Sequence, residues 1–127
     1  MNNKIDDPMK LQSDITRGDL LLMIAAHSNN TFRNFNLQGA RLHGDYSNIN
    51  FRNFNFTNTD LRGANFSGCV FGVGHSETVF AGANVSGAIF DESARQLLQT
   101  AINVNEVQFI IRDVFGERVM NETSVSL

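Results

Sequence analysis

His27, His43, His75, Cys69 and the Ser76-Glu77 pair beside His75 are the residues of this 127-residue chain with types suited to bond chemistry. Histidine and cysteine hold a metal only at spacings that bring several to one cation, and these four share no such spacing. A single cysteine permits no internal disulfide and no thiolate cage. Cys69 also falls in a column of small inward residues set out below, so it reads as a packing residue rather than a nucleophile. His75-Ser76-Glu77 has the residue types of a hydrolase, but no Gly-x-Ser-x-Gly elbow accompanies it. Gly72-x-Gly74 is too short to cradle a phosphate and lacks the following Lys. Arg17-Gly18-Asp19 spells an adhesion tripeptide, yet it sits at a helix start and reads as chance. The expectation is no catalytic residue, no metal, no cofactor and no enzyme.

The charged positions say more. Between Asn30 and Phe90 the acids are Asp45, Asp60 and Glu77, and the bases are Arg33, Arg41, Arg52 and Arg62. Arg33 and Arg52 fall on one face, with His43 and Arg62 on another. Two stacked guanidinium groups can grip a carboxylate or phosphate. Arg33, Arg52, Arg62 and His43 are therefore the candidate interaction surface, with solubilising surface charge as the plain alternative.

The whole chain must position these groups. Hydrophobic residues are 42% and charged residues 18%, enough apolar content for a core in a single domain. A net charge of −3 argues against a broadly basic nucleic-acid binder, and no direct nucleic-acid binding is expected. The longest apolar run, Leu20 to Ala26, is far short of a bilayer span. Met1 to Lys10 lacks the basic-then-apolar order of a secretory signal. A cytoplasmic protein without membrane contact is the expectation, and delivery by a specialised secretion system is compatible with it. Eleven Phe stand against no Trp and one Tyr, and Asn crowds the middle third.

Repeats explain both biases. Phe32, Leu37 and Leu42 are five residues apart, as are Tyr46, Phe51, Phe56, Leu61, Phe66 and Phe71, and then Phe80, Val85 and Phe90. These are the expected core. Two residues earlier stand the small Ala40, Gly44, Thr59, Ala64, Cys69, Thr78, Ala83 and Ala88, with the large Phe35, Ile49 and Phe54 as departures. One residue earlier stand Asn36, Asp45, Asn50, Asn55, Asp60, Asn65 and Asn84. Two residues later stand Asn34, Gly39, Gly44, Asn48, Asn53, Asn58, Gly63, Gly68, Gly82 and Gly87. Gly or Asn at that spacing calls for positive φ and a turn every fifth residue. Neither a 3.6-residue helix nor a two-residue strand fits a period of five. A chain that turns every five residues, with one large and one small side chain inward, winds around its own core. Asn side chains can bond backbone groups at such turns.

The units Ala64-Asn65-Phe66-Ser67-Gly68 and Ala83-Asn84-Val85-Ser86-Gly87 resemble the pentapeptide-repeat family, and the resemblance covers roughly Asn30 to Glu92. It implies an all-β solenoid: a right-handed, quadrilateral β-helix of about three coils. Stacking every fourth centre then places Phe32, Phe51, Phe71 and Phe90 on one face, Leu42, Leu61 and Phe80 on a second, and Tyr46, Phe66 and Val85 on a third. The stretch 72–79 departs from the pattern and reads either as a loop or as a degenerate coil segment.

Residues 1–29 read as an N-terminal tail and capping helix, 30–92 as the repeat body, and 93–127 as C-terminal helices with a loose tail. Short solenoids need caps. Thr16-Arg17-Gly18-Asp19 has the form of a capping box before the apolar run. At the other end, one helix opens at Asp91-Glu92-Ser93-Ala94 and a second is capped by Asn105. The second carries Val107, Ile111 and Val114 at heptad-like spacing, a candidate homodimer seam. The function these features point to is a non-enzymatic protein–protein interaction module presenting flat faces to an unknown partner. The alternative is a DNA-mimicking, topoisomerase-binding protein of the Qnr type, disfavoured by a short rod with more Arg than acid.

Overall fold

Residues 37–40 show how the chain turns once within each five-residue unit. Leu37 points inward, Gly39 takes φ +76°, and the Ala40 N–H closes the turn on the Leu37 carbonyl at 3.0 Å. That is a type II turn, with the positive-φ residue third. Our computed structural model describes residues 14–26, 35–113 and 116–121, and side chains for 14–26 and 35–112. Within it the same turn recurs as Phe51–Phe54, Phe56–Thr59, Leu61–Ala64, Phe66–Cys69, Phe80–Ala83 and Val85–Ala88. Asn53, Asn58, Gly63, Gly68, Gly82 and Gly87 hold its positive φ. Gly44 does not, because one residue is missing between Leu42 and Tyr46 and the unit is squeezed.

The Asn/Asp column locks most of the turns. The Oδ1 atoms of Asn36, Asp45, Asn50, Asn55, Asp60, Asn65 and Asn84 each accept the N–H of the residue two later. These Asx turns rigidify the outward side of the seven units that carry them.

Between turns the chain runs extended just long enough to pair with its neighbours. Strands β1 (Phe35–Asn36) and β2 (Phe54–Asn55) form a parallel pair. Strands β3 (Asn65–Phe66), β4 (Ile89–Asp91), β5 (Gln108–Asp113) and β6 (Gly116–Asn121) form a four-stranded sheet, parallel except for its last pair. Isolated parallel bridges extend this pairing into four columns. One column joins Asp14, Arg41, Asp60, Asn84 and Ile102. The others join Asp45 to β3, Asn50 to Val70, and β2 to Val79. The sheets are small and no sheet closes around the molecule.

The spacing within columns locates the irregularities. Asn50 and Val70 are twenty residues apart, four units of five. Arg41 and Asp60 are nineteen apart, which places the squeezed unit. Asn55 and Val79, Asp60 and Asn84, and Asn65 and Ile89 are all twenty-four apart. The stretch after Phe71 is therefore an excursion containing a short 3-10 helix, Gly74–Ser76, and contributes no rung. Counting it as a unit misplaces everything after it by one column. Phe51 and Phe71 stack as expected, with parallel rings 6.1 Å apart, and so do Tyr46 and Phe66 at 5.6 Å. Beyond the loop the expected faces are corrected. Phe80 stacks on Phe56 at 5.5 Å, Phe90 stacks on Phe66 at 5.1 Å, and Val85 follows the column of Leu61.

All the expected core centres among the described residues are buried; Phe32 lies outside them. The large departures Phe35, Ile49 and Phe54 are buried too. Phe35 and Phe54 pair ring to ring at 4.6 Å without breaking the β1–β2 ladder. Inward hydroxyls and the thiol find carbonyls: Thr59 donates to Phe56 at 2.6 Å, Thr78 to Phe51 at 2.8 Å, and Cys69 Sγ to Tyr46 at 2.9 Å. A small polar residue is tolerated inside because its donor is satisfied.

Helix α1 (Arg17–Ala26) closes the lower end. Its capping box forms as expected: Asp19 N–H donates to Thr16 Oγ1 at 3.1 Å, and Thr16 N–H donates to Asp19 Oδ2 at 3.0 Å. Leu20 is buried, and Arg17 reaches the Ser47 carbonyl at 2.8 Å. The Tyr46 hydroxyl donates to the Ile15 carbonyl.

The upper end corrects the expected C-terminal helices. The first is a 3-10 helix, Glu92–Leu98, with Ala94 and Leu98 buried. In place of the second stand a short 3-10 turn, Val104–Glu106, and the β5–β6 hairpin. Asn103, at φ +65°, bends the chain before it. Gln108-Phe109-Ile110-Ile111 is rich in β-branched and aromatic residues, and the open edge of β4 offers it a parallel partner. Val107 is buried in this chain's own core, so the proposed seam loses its first member. Ile111 is partly buried within β5, and Val114 lies outside the described residues. The helix stripe that motivated a dimer does not form. Met1 to Lys10, expected to be loose, falls outside the described residues. Of the tail expected to be loose from Met120, Met120 and Asn121 instead pair within β6, and residues 122–127 fall outside the described residues.

Candidate interaction surface

Outward side chains of neighbouring rungs stand one strand spacing apart, roughly 5 Å. Arg41 and Asp60 are bridge partners, so the residues flanking them meet. His43 Nε2 lies 3.0 Å from Asp60 Oδ2, and Arg62 Nη2 lies 2.7 Å from the same oxygen. Arg62 Nε also donates to Asp60 Oδ1 at 2.8 Å, a two-pronged grip. One rung below, Arg41 Nε is 3.3 Å from Asp14 Oδ1, and His43 Nδ1 is 4.0 Å from that atom. His43 and Arg62 are thus brought together, as expected, but by Asp60, an acid outside the candidate surface set. The signal was present: Leu42 and Leu61 share a column, and their flanking residues must then be neighbours.

The Arg62 guanidinium and backbone N–H, followed by the His43 imidazole, hold the Asp60 carboxyl well below the usual carboxylate range. A depressed folded-state pKa contributes stability above the unfolded value and loses it as pH falls. Asp60→Asn keeps the Asx acceptor, removes the charge and puts an amide donor in place of Oδ2. The wild-type protein should melt above this variant at neutral pH, with the gap shrinking as pH drops through about 4. Thermal melts from pH 7 to pH 2.5 measure it, and a gap independent of pH would contradict it.

Other charges are also neutralised in place. Arg95 pairs with Glu92 at 2.6 Å and lies 4.0 Å over the Phe109 ring, and Arg112 pairs with Asp91 at 3.2 Å. Arg52 differs. Its Nε is shut off from solvent and has no hydrogen-bond acceptor. Arg33, its expected stacking neighbour, lies outside the described residues, as does His27.

The remaining candidates resolve into structural roles. Ser76 Oγ donates to the Val73 carbonyl at 2.9 Å and accepts the Val73 N–H, so it braces the loop. His75 is exposed on the same loop. Arg17 and Asp19 cap and anchor α1. Burial pushes the Cys69 thiol up to about 11. A thiol so placed holds little thiolate near neutral pH. Iodoacetamide at pH 8 should leave it unmodified in the native protein and label it after urea unfolding. Rapid labelling of the folded chain would contradict its burial.

Among the described residues no helix is long and apolar enough to cross a membrane, and no cluster of metal-ligating side chains forms. The family model of pentapeptide repeats (8 copies) matches residues 45–72. No curated protein and no solved structure matches the chain.

Proposed function

With residues 45–72 a run of pentapeptide repeats, we propose that the chain is a four-sided, right-handed β-helix serving as a non-enzymatic scaffold for a protein partner. Repeats of this family are generally structural or interaction modules. The observation that carries the reading is the outward Asn/Asp column. Seven of its side chains are bonded to their own turns, so the faces are rigid before any partner arrives. Preorganised surfaces lose little conformational freedom on binding. The four columns of parallel pairing support the coil, with β1 and β2 paired on one wall and β3, β4 and β5 on another.

Mimicry of DNA would need uninterrupted rows of carboxylate at phosphate-like spacing. Along the column from Asp14 to Asp60 the charge instead alternates, with Arg41 between them and Arg62 on Asp60. Affinity capture on the immobilised full chain, run beside a gyrase supercoiling assay, separates the readings. A retained protein partner with supercoiling unaffected is expected. Inhibition of supercoiling at stoichiometric protein, or turnover of any captured molecule, would overturn the scaffold reading.

A further inference from the structure

Every other arginine with a described side chain has an acceptor: Arg17 on carbonyls, Arg41 on Asp14, Arg62 on Asp60, Arg95 on Glu92 and Arg112 on Asp91. Arg52 alone among them holds a buried guanidinium nitrogen with none. It occupies the second position of the turn that Phe54 N–H closes on the Phe51 carbonyl at 3.1 Å. The loop excursion sits directly over this turn. Asn50 bridges to Val70 as the chain enters the excursion, Asn53 N–H donates to the Ser76 carbonyl at 2.7 Å, and Asn55 bridges to Val79 as it leaves. Glu77, the one acid of the excursion, is exposed and forms no ion pair with Arg52 among the described residues.

The same ten residues carry three exposed valines. Val70 is 53% exposed, Val73 81% and Val79 45%. A guanidinium whose buried Nε has no acceptor, on the turn beneath exposed aliphatic side chains, is matched by a ligand that supplies a carboxylate to its remaining donors and apolar contact together. Guanidinium suits that role because its planar donors fit a carboxylate two at a time.

The geometry points to the corner of Arg52 and the 70–79 excursion as a docking surface for an acidic peptide segment of a partner protein, one carboxylate on Arg52 and a neighbouring aliphatic side chain on Val70, Val73 and Val79. This inference rests on the interaction-scaffold reading and names the surface and the partner's chemistry.

Random peptides displayed on phage, selected against the full chain, test it. Selected peptides should share Asp, Glu or a free C-terminal carboxylate beside an aliphatic residue. Their affinity should fall about tenfold or more on Arg52→Gln and on Val73→Glu, and be unchanged on Leu22→Glu, which alters the exposed face of α1. Arg52→Gln should melt no lower than the parent, since it removes an unsatisfied buried donor. Peptides that bind Arg52→Gln and Val73→Glu as well as the parent would overturn this surface and leave the scaffold reading standing. A selection that yields no binding peptide would count against both.

Discussion

Phe51→Ala is expected to destabilise the protein by about 3–5 kcal/mol, the range of large aromatic truncations in a closed core. Phe51 is fully buried. Its ring meets Phe54 edge-on at 5.0 Å, Phe56 at 5.4 Å and Phe66 at 5.5 Å, and stacks on Phe71 at 6.1 Å. Each such pair adds to the simple burial of area. The cavity left by alanine would be walled by rings whose backbones are tied into rungs and Asx turns, so collapse is limited. Urea unfolding of both proteins measures the loss. A value under about 1 kcal/mol would mean that the interior relaxes freely and the rings are not packed as described.

Gly72→Ala is expected to cost roughly 2–4 kcal/mol, against about 1–2 kcal/mol for Gly63→Ala. Both glycines hold positive φ, +70° and +71°. A Cβ at Gly63 would meet nothing within 4 Å, so the torsional penalty acts alone. At Gly72 it would stand 2.3 Å from the Ser76 carbonyl oxygen. That oxygen accepts the Asn53 N–H, so moving it to relieve the clash loosens the excursion from the turn beneath. The comparison separates strain in φ from close approach of two backbone segments. Equal losses in matched urea melts would show that the loop yields without cost. The same loosening would weaken the Arg52 corner, linking this stability effect to the proposed docking surface.

The sequence by itself determined the unit of this protein. Large apolar residues, the small column, the Asn/Asp column and the Gly/Asn column each repeat at five. Each demands a local geometry: an inward ring, a close-packed corner, an Asx turn and a left-handed residue. These are contacts within three residues, so sequence suffices to read them, and the turns at Phe51–Phe54 and Leu61–Ala64 follow that reading. The capping box at Thr16 and Asp19 is legible for the same reason.

Tertiary structure decided how the units stack and how the stack ends. Whether Gly72 to Glu77 makes a rung or leaves the wall depends on pairing partners some twenty residues away, and the excursion moved Phe80, Val85 and Phe90 by one column. Asp60 joined His43 and Arg62 only once the rungs of Leu42 and Leu61 were neighbours in space. Arg52 was legible as a surface cation, but the missing acceptor of its Nε was not, because the exclusion of one side-chain atom from solvent is a tertiary property. The last difference lies at 107–111. Val107 and Ile111 are four apart, which suits a helix, while Val107, Phe109 and Ile111 alternate, which suits a strand. Periodicity over so short a run supports both. The open edge of β4 settled it, because a strand there satisfies backbone groups that a helix would have left exposed.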